Sequence, residues 1–239
     1  MQLSKQFYLK MKFIDLFCGL GGFRLAFEKY GKCVFSSDID KSVSKVYFKN
    51  FHEDPLNDIT IHDEKLIPKF DILCAGFPCQ AFSIAGHRKG FKDTRGTLFF
   101  DIERILRHHR PKAFILENVK GLKSHDQGRT LDIILNKLSK KINGKENKNK
   151  FKDCLDYNVF YKVLNSRDFG LPQNRERIFI VGFRKSNINF SFDHTPVNVS
   201  LNNYLNKDIN KSLKIKSNVE SQISLHINKR KDYKKIKNL

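Results

Sequence analysis

Apolar positions along this chain arrive in two rhythms that take turns. Runs of about 4–8 mostly apolar residues have the length of buried strands, and stretches with apolar residues three and four apart have the spacing of helices. "KFIDLF" (12–17) is a strand run stopped by glycines, with a helical pattern from Phe23 to Lys29 after it. "CVFSSD" (33–38) predicts a second strand, "KSVSKVYFKNF" (41–51) a helix and "FDILCAGF" (70–77) a third strand. In "GTLFFDIERILRHH" (96–109), Leu98, Ile102, Ile105 and Leu106 fall on one side of an amphipathic helix. "KAFILENV" (112–119) is the next strand and "TLDIILNKLSKK" (130–141) the next helix; "YNVFYKVLN" (157–165) and "RIFIVGF" (177–183) finish as strands. Repeated β–α units define an α/β fold, a mainly parallel sheet with helices on both faces. In such sheets ligands bind beyond the carboxyl ends of the strands.

Composition sharpens this. The 239 residues are 40% hydrophobic and 29% charged, enough for one large domain with a real core. No apolar run reaches the roughly 18 residues of a membrane span, and "MQLSKQFYLKMK" lacks the apolar centre of a signal peptide. Five scattered cysteines, an odd number, argue against a disulfide framework and fit the cytoplasm. Neither CxxC nor HxxxH occurs, so no structural zinc or catalytic metal is expected. The net charge of +20 suggests a polyanionic partner, nucleic acid being the commonest, with a lysine-rich solvated surface as the plain alternative. The cations concentrate in "SKKINGKENKNKFK" (139–152), six lysines against one glutamate, and in 206–239, ten Lys or Arg against three acids. Both stretches are poor in large apolar groups and read as a surface loop and a weakly ordered tail. The expected division is a domain over residues 1–185 and a basic Asn/Lys-rich tail over 186–239.

The residues at the strand ends carry the candidate chemistry. In "DLFCGLGGFRLAF", Gly19, Gly21 and Gly22 sit between strand and helix, where a side chain would keep a ligand from the backbone. The spacing is not GxGxxG, so a nucleotide-like cofactor and a purely structural turn both remain open. Asp38 follows the second strand, about 20 residues beyond the glycines, where a ribose-binding carboxylate is expected. Asp40 is the better helix cap, which leaves Asp38 for a ligand. In "GFPCQAFS" (76–83), Cys79 stands in a turn just past a strand. Free cysteines are usually small buried hydrophobes, but this position suits a nucleophile, provided a nearby charge or base favours the thiolate. Glu117 ends an apolar strand, where partial desolvation favours a carboxyl able to donate a proton, although pairing with an arginine would explain it equally. Arg175 and Arg177, two apart at the start of the last strand, fall on one face as an anion- or base-edge-binding pair.

Taken in order, "DLFCGLGG", "GFPCQAFS", "RGTLFF", "ENV" and "QNRERI" resemble the motifs of bacterial cytosine-C5 DNA methyltransferases of the restriction–modification kind, over roughly residues 11–185. The resemblance implies a Rossmann-like S-adenosylmethionine-dependent fold acting on double-stranded DNA. Cys79 would attack C6 of a flipped cytosine, Glu117 would protonate or hydrogen-bond N3, Arg177 would bind the exocyclic oxygen, and Arg175 would help hold Cys79 and the phosphate backbone. It also implies an S-adenosyl-L-methionine site. Phe17 would stack on the adenine, Asp38 would take the ribose hydroxyls with Ile39 beside it, and Asp58 with Ile59 would meet the adenine edge. Gly19, Gly21 and Gly22 would hold the methionine part, and Pro78 and Leu98 would line the sulfonium end. The segment 80–95 resembles a loop that closes over DNA, and flipping is needed because a stacked cytosine cannot be approached from its face.

Family members continue into a domain that reads bases in the major groove and end in a helix that returns to the first domain. After Phe183 this sequence has only "RKSNINFSFDHTPVNVSLNNYLNKDI" and the basic tail. The expectation is a truncated or split enzyme that needs a second polypeptide, binds cofactor and DNA weakly when alone, and is least ordered after about residue 186. An RNA cytosine-C5 methyltransferase and an inactive folded remnant are the alternatives.

Overall fold

The computed structural model describes residues 11–78, 98–185, 187–197, 199, 200 and 204. Their strands form one sheet: β1 (Met11–Leu16), β2 (Gly31–Ser37), β3 (Ile72–Gly76), β4 (Ala113–Val119), β5 (Ser139–Ile142), β6 (Lys145–Glu146), β7 (Tyr157–Asn165) and β8 (Glu176–Phe183). The helices are α1 (Gly22–Phe27), α2 (Lys41–Phe51), α3 (Leu98–His109) and α4 (Arg129–Leu138). Strand order is β2-β1-β3-β4-β8-β7-β5-β6. The first four strands pair in parallel, β8 runs antiparallel between β4 and β7, and β5 pairs in parallel with β7. From β1 the chain crosses first to β2 on one side and then to β3 on the other. That reversal opens a crevice at the carboxyl ends of β1 and β3, the ligand position of doubly wound sheets.

Period-2 alternation divides the core between the two faces of the sheet. Ile14, Leu16, Leu73 and Ala75 share one cluster with Phe99, Ile102, Ile105 and Leu106 of α3 and Leu131, Ile134, Leu135 and Leu138 of α4. Phe13, Cys33 and Cys74 form the other, covered by Phe23 and Phe27 from the α1 region. Helices therefore lie on both faces, as the pattern implied. Burying a large apolar side chain stabilises by about 1.5–3 kcal/mol, so the fully buried Ile102, Ile105 and Leu106 fix α3 firmly on the sheet.

Two expectations changed. The helix expected over 130–141 ends at Leu138, and the lysine-rich stretch after it begins as the antiparallel hairpin β5–β6 and is an exposed loop only from residue 148. The buried Ser139 turns its hydroxyl onto the Leu135 carbonyl at 2.6 Å, while Asn147 donates to the Ser139 carbonyl and to the Asn136 side chain, both at 3.1 Å. These polar residues trade the last helical turn for a place on the free edge of β7. The start of the expected tail is also placed against the sheet. Phe190 lies 5.5 Å from Phe160 of β7 and 5.4 Å from Phe183 of β8, and His194 stacks on Phe169 at 4.1 Å. The chain divides into compact units of residues 1–198 and 199–239, all named elements belonging to the first.

Candidate active site

The β1–α1 turn needs its glycines for different reasons. Gly21 has φ of +87°, and a Cβ there would lie 2.3 Å from the Phe51 ring of α2. A Cβ on Gly19 or Gly22 would meet nothing within 4 Å. Gly21 is thus fixed by packing, whereas Gly19 and Gly22 border open space suited to a ligand close to the backbone. Phe17, just before, holds a left-handed φ of +53°, an unusual cost for an aromatic residue and common where a site fixes the backbone.

Asp38 links this turn to the next. Its Oδ2 accepts the Gly19 amide and its Oδ1 the Asp40 amide, both at 2.9 Å. Asp40 caps α2, accepting from the Ser42 amide at 2.7 Å and the Val43 amide at 3.2 Å. The cap falls where the sequence put it, but Asp38 is engaged by backbone on both oxygens rather than left free. Ile39 beside it is 70% exposed, an apolar platform at the crevice mouth. The Asp38 carbonyl accepts the Asn57 amide at 3.0 Å, which brings in the loop of Asp58 and Ile59. Asp58 uses Oδ1 to accept from the Thr60 amide at 2.9 Å and the Thr60 hydroxyl at 2.7 Å, which leaves Oδ2 for a ligand. The Ile59 side chain is buried in the core, so only its backbone is available at the site. Pro78 is exposed past β3, and Leu98 is half-buried at the start of α3; their neighbours Phe77 and Phe99 approach to 6.3 Å between ring centroids.

The reactive candidates converge one strand away. Gly76 of β3 pairs with Glu117 of β4, and a Cβ on Gly76 would lie 3.6 Å from Glu117 Oε2 and 3.9 Å from the Phe17 carbonyl. Glu117 Oε1 receives the Arg177 guanidinium at 2.8 Å, with Arg175 at 4.0 Å from the same oxygen. The two arginines share one face, as alternation required, and the glutamate–arginine pairing is formed. Cys79 and the segment 80–95 lie outside the described residues, so the turn is known up to Pro78.

Three residues escaped the sequence reading. Asn118, 2% exposed, donates its side-chain amide to the Phe77 carbonyl at 2.9 Å and accepts the Val119 amide at 2.8 Å. It ties the end of β4 to the strand end that leads into Cys79. A polar residue inside "AFILENV" had to find buried partners, and that was the available signal. Asp15, fully buried, accepts the Arg24 amide of α1 at 3.2 Å while its Oδ1 has no hydrogen-bond partner. Burial pushes this carboxyl up to about 8. Arg104 of α3 is the third, gripping the loop of Asp58 and Ile59. Among the described residues no cluster of three or more His, Cys, Asp or Glu could hold a metal ion, and no helix is long and apolar enough to cross a membrane.

A sheet whose parallel strands reverse their order at β1, with a glycine turn, an acid after β2 and a glutamate–arginine pair at the end of β4, is the Rossmann-like fold of S-adenosylmethionine-dependent methyltransferases. Residues 11–239 match the family of C-5 cytosine-specific DNA methylases, and the chain belongs to it. The chain is similar to the type II methyltransferase M.HpaII of Haemophilus parainfluenzae, 58% identical over 181 residues, covering 74% of this chain and 47% of that protein. It is 53% identical over 185 residues to M.HhaI of Haemophilus parahaemolyticus, covering 76% and 52%. The chain thus spans about half the length of the curated relatives it matches. Among solved structures, the S. pombe Dnmt2 methyltransferase superposes with a TM-score of 0.63 at 20% identity, over 85% of this chain and 63% of that one, a likeness of fold alone.

Proposed function

We propose that this chain is the catalytic and cofactor-binding part of a DNA (cytosine-5)-methyltransferase of a restriction–modification system, working in the cytoplasm. In this reading residues 1–185 carry the methyltransferase site, and the basic tail of 186–239 starts with a segment packed on the same sheet. The observation that carries it is the convergence of Glu117, Arg175 and Arg177 beside Gly76–Pro78, the strand end that delivers Cys79. Family membership supports it.

The residues fit the cofactor. Gly19 and Gly22 border open space, Asp38 and Ile39 stand at the mouth, and Asp58 keeps Oδ2 for an amino group. S-adenosylmethionine bound there supplies a methyl group on a sulfonium centre. The chemistry of the chain itself lies on the cytosine. The Cys79 thiolate forms a bond to C6, and the electron pair displaced through the ring makes C5 nucleophilic. Glu117 gives a proton or hydrogen bond to N3, where negative charge would build up. Arg177 donates to the exocyclic oxygen and, through its bond to Glu117, orients the carboxyl; Arg175 adds positive charge that favours the thiolate and the phosphate backbone. After methylation a base removes the C5 proton and the C6–sulfur bond breaks, which returns the thiolate.

Methylation by this reading also draws on the part of the relatives' length that these 239 residues do not match, which the assay supplies as a further polypeptide. The test is transfer from tritiated S-adenosylmethionine to duplex DNA and to tRNA, by the chain alone and with such a polypeptide. The expected outcome is label in 5-methylcytosine of DNA, with little or none from the chain alone. Label in tRNA and not in DNA would move the reading to an RNA methyltransferase; none in either, with the second polypeptide present, to a folded remnant.

A further inference from the structure

Arg104 holds together two segments that the reaction scheme does not connect. It lies on α3, six residues after Leu98, and its guanidinium turns back toward the loop after β2. Nη2 donates to the Ile59 carbonyl at 2.8 Å and Nη1 to the His62 carbonyl at 3.0 Å. The same head pairs with Glu64 and reaches Asp101 at 3.4 Å. A planar guanidinium with five fixed donors can span two carbonyls and two carboxylates; an ammonium cannot.

The gripped segment is short. Residues 58–62 fold into a turn in which the Asp58 carbonyl accepts the Ile61 and His62 amides at 3.3 and 3.1 Å. Upstream it is tied to β2, where Ser37 donates to the Asn57 carbonyl at 3.0 Å. Downstream, the Glu64 carbonyl meets a ring nitrogen of His109, the last residue of α3, at 2.8 Å. Asp58 and Ile59 are therefore suspended between the end of β2 and a helix whose apolar face is fully buried. The grip at their own level is Arg104.

We propose that Arg104 is a positioning residue that sets the adenine side of the cofactor pocket, and with it the selectivity for adenine over other purines. This rests on the S-adenosylmethionine reading above, in which the Asp58 carboxylate faces the exocyclic amino group. A hypoxanthine base presents a carbonyl oxygen at that place and is repelled by the same carboxylate. The discrimination requires the carboxylate to stay within hydrogen-bond range, and Arg104 holds the turn that carries it.

The test compares S-adenosylhomocysteine with S-inosylhomocysteine, binding to the 239-residue chain by ligand-detected NMR up to millimolar concentrations, so that weak affinities are read. Wild type is expected to prefer the adenine compound by about tenfold or more, the size of one hydrogen bond to a charged group. Arg104→Ala should lose most of that ratio. Arg104→Lys keeps the charge and the fold but grips one partner at a time, and should retain only part of it. A general loss of packing would weaken both ligands alike and leave their ratio standing. A folded Arg104→Lys or Arg104→Ala chain with the full wild-type ratio would overturn the inference while leaving the cofactor reading intact. A wild-type chain that binds neither compound, or both equally, would overturn that reading and the inference with it.

Discussion

Asp15 is a fully buried carboxyl that accepts one hydrogen bond, from the Arg24 amide, and it lies beneath the glycine turn. Desolvation raises it from an ordinary value of 3.8 to about 8, with the Arg24 amide and charge opposing. Because the folded value lies above the unfolded one, the folded state binds the extra proton. Stability from this group is therefore full below about 4 and is lost as pH rises toward about 8. Asp15→Asn keeps an acceptor for the Arg24 amide without a charge to bury. Its stability should match wild type near pH 4 and exceed it at pH 8 by at least ~2 kcal/mol, read by urea unfolding at both values. Equal pH slopes for the two proteins would show that Asp15 does not carry the term. At the reacting end, Glu117→Gln keeps the shape but removes the acid and its pairing with Arg177. Methyl transfer should fall by about 10²-fold or more, with cofactor affinity little changed. Transfer by Glu117→Gln at the wild-type rate would remove Glu117 from the proton step.

At the scale of elements, Asn118 joins β4 to the end of β3. Asn118→Ala leaves the Phe77 carbonyl without its buried donor and should cost about 1–3 kcal/mol, with a loss of transfer exceeding the loss of cofactor affinity. Transfer at the wild-type rate would show that the strand end holds its shape without the bond. The hairpin β5–β6 gives a separate test. Asn147→Ala should speed hydrogen exchange in residues 139–146 and leave the β4 amides protected, because only the edge loses its anchor. These two elements also show where the sequence was legible. Glu117, Arg175 and Arg177 could be read because strand alternation and position at a strand end fix where such side chains go. The hairpin could not, since strands of four and two residues rich in lysine carry no apolar period, and their place depends on a free edge of β7. Arg104 was hidden for a similar reason. Helical spacing puts it off the apolar face, but its partners in the loop, Ile59, His62 and Glu64, lie 40 or more residues away in sequence.

Over the whole molecule, charge and topology divide the work. The sheet brings glycine turn, acid and arginine pair to one end, whereas a net charge of +20 supplies attraction without a reading of bases. Duplex DNA should therefore bind this chain weakly, with little sequence preference, and with affinity falling steeply between 50 and 200 mM salt, by about 10²-fold or more for several neutralised phosphates. A clear preference for one short site would place base recognition within these 239 residues. The central claim is that the strand end after Pro78 delivers a nucleophile to cytosine C6. It is tested most directly by Cys79→Ser, assayed for tritium transfer to duplex DNA in the reconstituted system, with cofactor binding measured in parallel. The account predicts that transfer disappears while cofactor affinity stays within about twofold, because a hydroxyl lacks the nucleophilicity of a thiolate. Transfer by Cys79→Ser at the wild-type rate would contradict it.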